Sequence, residues 1–347
     1  TKSGNSGLDS ATSLSSRLIH LFETTDPLLV FKSSNPRINL SNPERRRLHK
    51  LHSMKKEGLV RLAESDYGVD TALWLKMFPL VMRLCFETYP IPVALCRNIV
   101  CGKLVQMHEA VLEFSRNQSV SSSSTFHLKH LMRNHPEIVV EQWRIYLIVA
   151  STTLTQTEEQ KLHVPENPTH HGRKKSVQKV TIHHQKITSA KSVFRMVIPL
   201  FGVEHPTIRD AIVTSLSSVN INIYKTLIEC LQPAITGWRD DLKSLGRRDL
   251  FAKEKLERVS TEVTHVLSST AHFLKEKIIY EDEWIITKLL SFLNELKNFL
   301  GREEVQIDPN YQRLRCYFSA LLESIYTGVK KSTVLANLFT YKMRVDY

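Results

Sequence analysis

Glycine is scarce in this chain, with eleven residues among 347. Tight turns and close backbone approaches, on which all-β folds and nucleotide-binding parallel sheets depend, favour glycine. Runs of alternating β-branched residues are also few, whereas 42% of the residues are hydrophobic, enough for a continuous core. These scarcities argue against an all-β fold and against a nucleotide-binding sheet, and they predict an all-α protein.

Long apolar runs are missing as well. The longest, Ile145 to Ala150, is far shorter than the roughly 20 residues that a membrane-spanning helix needs. The sequence begins at Thr1 with a polar stretch, TKSGNSGLDSATSLSS, which lacks the charged-then-apolar pattern of a secretory signal. We therefore expect a soluble chain, and we interpret its start as the edge of an excised piece or as a loose leading end.

Cysteine is sparse, odd in number and widely scattered. Each of the five lies in a stretch that is predicted to be helical: Cys85, Cys96, Cys101, Cys230 and Cys316. This pattern is typical of reduced, mostly buried thiols in a cytosolic protein rather than of a disulfide framework. Cys96 and Cys101 alone do not make a metal site.

Catalytic signatures are not found in the sequence. It contains no GxSxG elbow, no glycine-rich phosphate loop, no HExxH and no kinase signature. One histidine cluster lacks the tight ligand pairs and neighbouring thiolates of zinc sites, so a solvated polar loop is the better interpretation: His163, His170, His171, His183 and His184. We expect no catalytic residue, no cofactor, no metal and no small-molecule substrate.

Apolar stripes at helical spacing are what the sequence does contain. After the break at His205-Pro206, one stripe repeats with the period of an α-helix: Ile208, Ala211, Ile212, Ser215, Leu216 and Val219. Arg209 and Asp210 fall outside it. A helix this short is marginal alone and is stable when stacked on others, which is the logic of an α-solenoid rather than of a catalytic pocket.

Composition divides the chain into four stretches. We predict a flexible or loosely packed segment over 1–40, helical repeats over 41–156, a basic loop containing His and Pro over 157–188, and helical repeats over 189–347. A polar link is expected near residues 238–246. The longer predicted helices cover 43–64, 71–88, 92–116, 127–134, 136–155, 249–277, 282–300 and 308–326, with a partial helix at 332–341 and several short helices between 189 and 231. Trp74 and Trp143 lie in apolar stripes and are predicted to be core residues.

Three segments carry a family resemblance. The pattern of Pro206, Arg209, Ala211 and Leu216 resembles the second helix of a HEAT repeat. The longer sequence that continues through Asn220, Tyr224, Leu227 and Pro233 resembles the Furry-type cell morphogenesis scaffolds, in a fungal version. Two further segments agree: Arg83 to Glu109, which contains YPIPV and CGKLVQMHE, and Pro136 to Ala150, PEIVVEQWRIYLIVA. Together the matches cover roughly residues 70 to 235.

The resemblance implies a curved α-solenoid of HEAT/armadillo-like antiparallel helix pairs without enzymatic activity. It further implies a non-enzymatic scaffold that supports an NDR-family kinase with its Mob-type coactivator in polarised growth, cell shape and cell separation. Such a protein would lie in the cytoplasm, at the cell cortex or at sites of polarised growth. The matched segments contain no catalytic motif.

The charge balance is basic, with 47 Lys+Arg against 35 Asp+Glu and a formal net charge of +12. Two clusters stand out: Arg45, Arg46, Arg47, Lys50, Lys55 and Lys56, and then Arg173, Lys174 and Lys175. Clustered cations gain from counterion release, so a module that binds nucleic acid or an anionic membrane is the rival interpretation. Because the first cluster lacks interleaved aromatic residues for base stacking, a solvated face or a patch for an acidic protein partner is favoured.

The second basic cluster also contains a candidate phosphorylation site. His171, Arg173 and Ser176 are spaced like the substrate preference of NDR/LATS-type kinases, with which Furry-type scaffolds are associated. A phosphate on Ser176 would offset part of the neighbouring positive charge and could act as an electrostatic switch. His184 to Ser189 is a weaker version of the motif, with Ser189 as the acceptor. An unmodified basic loop is the simpler interpretation.

Overall fold

Helices make up all the regular structure of the described residues. The computed structural model describes residues 16–33, 38–54, 57–116, 126–155, 157, 187–244 and 250–347, and no strand occurs among them. The helices are α1 (16–24), α2 (Pro27–Lys32), α3 (Asn42–His52), α4 (Gly58–Ala63), α5 (Gly68–Thr88), α6 (Pro90–Ser115), α7 (Phe126–Asn134), α8 (Pro136–Thr153), α9 (Ala190–Val197), α10 (Pro206–Leu216), α11 (Tyr224–Ser244), α12 (Leu250–Thr270), α13 (Lys277–Tyr280), α14 (Glu283–Leu300), α15 (Glu303–Gln306), α16 (Gln312–Val329), α17 (Thr333–Leu338) and α18 (Tyr341–Asp346). The all-α prediction is confirmed.

Sequence-encoded caps set several of the helix starts. Pro90, Pro136 and Pro206 occupy the first turns of α6, α8 and α10, where the missing N–H costs nothing. Ser41 and Glu44 form a reciprocal capping box at the start of α3: the Ser41 N–H donates to the Glu44 carboxylate over 2.6 Å. A cap of this kind stabilises a helix by about 1 kcal/mol.

The predicted helix over 43–64 is wrong, because the chain breaks there into α3 and α4. Glu57, just before α4, has a φ of 62° in the left-handed region, and its N–H donates to the Glu23 carbonyl of α1 over 2.7 Å. A Cβ on Gly58 would lie 3.1 Å from the Pro27 ring, so the turn packs tightly on α2. The break lets Leu51 and Leu59 both reach the core.

Other boundaries also differ from the predictions. The expected polar link at 238–246 is wrong over its first part, because α11 continues to Ser244. The predicted helix over 249–277 ends as an α-helix at Thr270 and continues as a 3₁₀ helix over Ala271–Lys275. Helices α1 and α2 lie within the first 40 residues and were not anticipated; Asp26 caps α2, and Leu28 is buried.

Five helices pack one against the next in a row, which we call the helical file. Helix α5 contacts α8, α8 contacts α10, α10 contacts α12, and α12 contacts α16. A second set packs against this helical file: α6 on α5 and α8, α7 on α8, α9 on α8, α11 on α12, and α14 on α16. Within the second set, α9 contacts α11 and α11 contacts α14. Each helix therefore covers the apolar stripe of its neighbours, as the short stripes require.

Two hydrophobic clusters form among the described residues. The smaller joins α2 to α6 around Leu48, Leu62 and Met77, whereas the larger runs from Cys101 to Phe339. Trp143 is fully buried in the larger cluster, as predicted, but Trp74 is half-buried and packs beside Phe78. Burial of a large apolar side chain contributes roughly 1.5–3 kcal/mol, so stacking of neighbouring helices, not helix propensity, stabilises the array.

The cysteines are all free thiols, but their burial is more mixed than expected. Cys85 and Cys101 are buried and Cys230 is half-buried, whereas Cys96 and Cys316 are exposed. Burial raises the pKa of the Cys85 and Cys101 thiols to about 11. These two side chains therefore act as small core residues rather than as nucleophiles.

Candidate functional site

A cleft of about 440 Å³ opens where α5 faces α10 and α12 along the helical file. Helix α8 contributes Arg144 to it. We call it the α5/α10 cleft; its lining residues are Ile38, Ala72, Leu75, Lys76, Pro79, Leu80, Arg83, Arg144, Asp210, Val213, Thr214, Ser217, Ser218, His265, Ser269 and His272. Its volume is within the range of roughly 300–1,000 Å³ that is usual for binding pockets.

The wall formed by α5 is mainly apolar and includes a backbone irregularity. Leu75 and Pro79, one helical turn apart, line it together with Leu80. Because proline has no N–H, Pro79 cannot donate to the Leu75 carbonyl, which loses its usual helical partner. The α5 wall therefore combines apolar side chains with a proline that removes one helical backbone donor.

Two of the cationic side chains in the cleft have acidic partners. Lys76 donates to Glu44 over 2.8 Å and to the Asn39 carbonyl over 3.0 Å. Arg144 lies 2.8 Å from the Asp210 carboxylate and 3.4 Å from that of Glu141. Burial raises the pKa of Glu141, and the positive charge of the Arg144 guanidinium partly opposes this shift. Arg144 therefore stabilises the ionised form of the Glu141 carboxylate.

Arg83 differs from these two cations. Among the residues that the structure describes, no ion pair or hydrogen bond of its guanidinium is found. The side chain is half-buried and also lines a smaller cavity of about 180 Å³ beside α2, together with Glu87. Burial lowers the pKa of Arg83, and the Glu87 carboxylate opposes the effect.

Charged contacts join successive helices of the file next to the cleft. Glu262 of α12 is buried; its carboxylate lies 3.3 Å from Arg209 of α10 and 3.8 Å from Arg313 of α16. Burial raises the pKa of Glu262, but the contacts with His265, Arg313 and Arg209 outweigh it, and its pKa lies below the usual value. The carboxylate is therefore ionised at neutral pH and holds three helices of the file together.

The first basic cluster is only partly available for a partner. Arg47 donates two hydrogen bonds, of 2.6 and 2.8 Å, to the buried Asp70 carboxylate and is thus committed to the α3–α5 contact. Arg45 donates to the Leu40 carbonyl over 3.0 Å. Arg46 and Lys50 are exposed. We call Arg45, Arg46 and Lys50 the α3 patch; Lys55 and Lys56 lie outside the described residues.

The second basic cluster contains the candidate phosphorylation site Ser176. Arg173, Lys174, Lys175 and Ser176 lie outside the described residues, as do the five clustered histidines. Ser189 is described and is fully buried, and its hydroxyl caps α9 by accepting from the Ser192 N–H over 3.2 Å. A kinase could reach this hydroxyl only if the start of α9 opened.

One helix outside the file exposes an apolar ridge. Ile91, Leu95 and Ile99 follow each other at intervals of four residues on α6, and each is more than half exposed, at 69%, 58% and 70%. Ridges of this kind on a folded chain are typical of surfaces that contact other proteins.

No group of three or more His, Cys, Asp or Glu side chains in the described part of the chain is arranged to hold a metal ion. In the same part, no helix combines the length and the apolar character that a membrane crossing requires. The residues that line the cleft were not singled out by sequence reasoning. The available signal was the presence of Arg83 and Arg144 inside otherwise apolar helical segments.

Fold and cleft together define an all-α protein of packed helices with an open, partly cationic surface cleft. Comparison with known proteins then identifies relatives. The chain is 43% identical over 314 residues to the cell morphogenesis protein PAG1 of Saccharomyces cerevisiae, a match that covers 90% of this chain and 12% of that protein. It is 34% identical over 304 residues to the cell polarity protein mor2 of Schizosaccharomyces pombe, covering 81% and 13% respectively.

The chain belongs to the Furry-type family of cell morphogenesis proteins, of which it matches one segment. It spans only about an eighth of the length of these curated relatives. No protein-family model and no solved structure matches the chain. The family resemblance carried by residues 83–109, 136–150 and 206–233 is therefore confirmed.

Proposed function

We propose that this chain is a non-enzymatic scaffold segment of a cell morphogenesis protein, which supports NDR-family kinase signalling in polarised growth and cell separation. Its partners are an NDR-family kinase and a Mob-type coactivator, and it works in the cytoplasm at the cell cortex or at sites of polarised growth. The observation that carries the proposal is the identity of 43% over 314 residues with a cell morphogenesis protein. The name of the second relative, a cell polarity protein, supports it.

The mechanism that we propose is geometric. Partners held on one rigid surface meet each other at a high effective concentration without any new contact between them. The helical file supplies such a surface, because successive helices are joined both by the apolar core and by ion pairs such as Arg209 with Glu262. No chemical step on the chain is needed for this function.

We further propose that the file is part of an α-solenoid of HEAT/armadillo-like helix pairs. The support is the serial adjacency of α5, α8, α10, α12 and α16, with α5, α8, α12 and α16 each packed against at least one helix of the second set. Small-angle scattering of the purified chain tests this. A solenoid predicts a maximum dimension well above that of a sphere of the same mass, and a spherical profile would overturn the proposal.

Direct binding tests the proposed function. The purified 347-residue chain should capture a purified NDR-family kinase together with its Mob-type coactivator. A matched variant, Arg46→Glu with Lys50→Glu, reverses charge on the α3 patch and should leave this binding unchanged. A folded chain that captures neither protein would contradict the proposal.

The basic loop adds a regulatory proposal. Phosphorylation of Ser176 by the bound kinase would place negative charge beside Arg173, Lys174 and Lys175 and weaken their attraction for acidic groups. Incubation with active kinase followed by mass spectrometry tests this, with Ser176→Ala as control. Absence of phosphate at Ser176 would remove the proposal.

A second candidate function is binding of nucleic acid or an anionic membrane. The net charge of +12 and the exposed Arg46 and Lys50 favour it. Binding through phosphates weakens steeply with salt, because it depends on counterion release. A salt titration against duplex DNA and against vesicles containing phosphatidylserine distinguishes the two functions: the α3-patch variant should lose this binding and keep that of the kinase.

A further inference from the structure

The α5/α10 cleft has an excess of positive charge over an apolar wall. Three of its lining side chains are cationic, Lys76, Arg83 and Arg144, whereas Asp210 is its one carboxylate among the described residues. Lys76 and Arg144 already have acidic partners within the fold. The positive charge that remains available to a partner is therefore that of Arg83.

Arg83 occupies a position that favours an incoming anion. The Arg83 residue lines two cavities, of about 440 and 180 Å³. A half-buried cation has lost part of its hydration, and a carboxylate that approaches it forms a stronger, often bidentate, contact than it would on an open surface. Glu87, four residues further along α5, is exposed and lies on the side of the smaller cavity.

We propose that the α5/α10 cleft binds an acidic peptide segment of a partner protein, with a carboxylate of the peptide paired to Arg83 and a neighbouring apolar side chain against Leu75, Pro79 and Val213. The inference rests on the proposed scaffold function and specifies the chemistry of one partner contact. Charge complementarity is its basis: the cleft offers one uncommitted cation in the described residues, next to apolar surface.

The shape of the cleft favours a peptide over a compact ligand. The cleft follows α5 for three turns, from Ala72 to Arg83, which suits an extended chain. A nucleic acid would instead need a row of free cations, and Lys76 and Arg144 are engaged.

The test uses the whole chain and a library of random peptides displayed on phage. Selected peptides should combine Asp or Glu with an apolar residue nearby. A synthetic peptide of the selected sequence should bind at least about tenfold more weakly to Arg83→Glu than to the unaltered chain. Exchange of the peptide carboxylate for lysine should restore binding to Arg83→Glu, an outcome that loss of folding cannot produce.

Two further variants complete the design. Ala72→Trp fills the cleft from an exposed position on α5 and should abolish peptide binding while Arg83 stays intact. Lys342→Glu, at an exposed position on α18 outside the α3 patch, is the control charge reversal and should have no effect. Selection of peptides without acidic residues, or equal binding to Arg83→Glu and to the unaltered chain, would overturn the inference. Preferential binding of an oligonucleotide that Ala72→Trp abolishes would also overturn it.

These binding experiments distinguish a failure of the cleft inference from a failure of the proposed scaffold function. If Arg83→Glu still captures the kinase with its coactivator but no acidic peptide binds the unaltered chain, the cleft inference fails and the scaffold proposal stands. If acidic peptides bind at Arg83 but neither kinase nor coactivator is captured, the scaffold proposal fails and the cleft inference stands.

Discussion

Arg209 on α10 and Glu262 on α12 form a largely buried ion pair between neighbouring helices of the file. The Arg209 Nε lies 3.3 Å from Glu262 Oε1, and the two side chains are 12% and 6% exposed. Arg209 also donates to the carbonyls of Val203 and Glu204, over 2.7 and 2.8 Å. The pair thus ties the loop before α10, α10 itself and α12 into one unit.

Removal of the Glu262 charge should therefore destabilise the fold. Glu262→Gln leaves the largely buried Arg209 guanidinium without its counter-charge, and we expect a loss of about 3 kcal/mol in the free energy of unfolding. Asp210→Asn is the matched control: Asp210 is 59% exposed, and its contact with Arg144 should contribute less than about 1 kcal/mol. Urea denaturation measures both, and equal losses would contradict the burial argument.

His108 should make stability depend on pH between neutrality and mild acid. Its ring stacks beside Trp143, and burial lowers the pKa of His108 to about 4. Because the folded pKa is depressed, the unfolded chain binds the proton first, and stability is lost as pH falls below the unfolded value of roughly 6.5. Between pH 7 and pH 5 the loss should be about 2 kcal/mol, measured by denaturation at each pH.

Two variants check the origin of this pH dependence. His108→Phe keeps an aromatic ring beside Trp143 and should remove most of the difference between pH 7 and pH 5. Cys101→Ala, at another buried position of α6, should lower stability equally at both pH values because its thiol stays neutral. An unchanged pH dependence in His108→Phe would show that His108 is not its source.

Because the backbone at Glu57 is left-handed, substitution of this residue by glycine should stabilise the folded chain. A non-glycine residue in that region costs roughly 1–2 kcal/mol, and glycine relieves the strain at some cost in unfolded-state entropy. Glu57→Gly should therefore raise the free energy of unfolding by about 0.5–1 kcal/mol. Glu64→Gly, at a φ of −90°, should not stabilise, and thermal unfolding of the two variants would separate them.

The buried cap at Ser189 gives a prediction about both stability and modification. Ser189→Ala removes the acceptor for the Ser192 N–H and should cost about 1–2 kcal/mol. Ser319→Ala, at an exposed site on α16, should change stability by less than about 0.5 kcal/mol. Denaturation measures both. Kinase-catalysed modification of Ser189 in the folded chain at the rate seen in a short peptide would contradict the burial.

Thiol labelling should divide the cysteines by burial. Cys96 and Cys316 are exposed and should react with a thiol reagent quickly in the native chain. Cys85 and Cys101, whose pKa values burial raises to about 11, should react only on unfolding, because the thiolate is the reactive form. Mass spectrometry of the labelled peptides assigns each site, and rapid labelling of Cys101 would contradict the packing of α6.

Local sequence determined the helices and many of their ends. The apolar stripe from Ile208 to Val219 and the prolines at Pro136 and Pro206 predicted α8 and α10 correctly, because capping and periodicity act within a few residues. The break at Glu57 was missed, because its reason is a contact of the turn with Pro27 and Glu23, distant in sequence. The apolar pattern on the two sides of the break gave no sign of it.

For the charged residues, too, the sequence predicted their positions on a helix but not their ion-pair partners. The sequence placed Arg209 and Asp210 outside the apolar stripe but could not tell that the first pairs with Glu262, largely buried, and the second with Arg144 at the surface. Arg47, expected in a basic patch, is bound to Asp70.

By itself, the sequence determined that this chain is helical and to which family it belongs, because stripes, caps and motifs are properties of contiguous residues. The tertiary structure alone decided which cations are neutralised and which one, Arg83, faces a cleft without an ion pair among the described residues, because a charge is paired or unpaired only after helices far apart in the sequence have packed together.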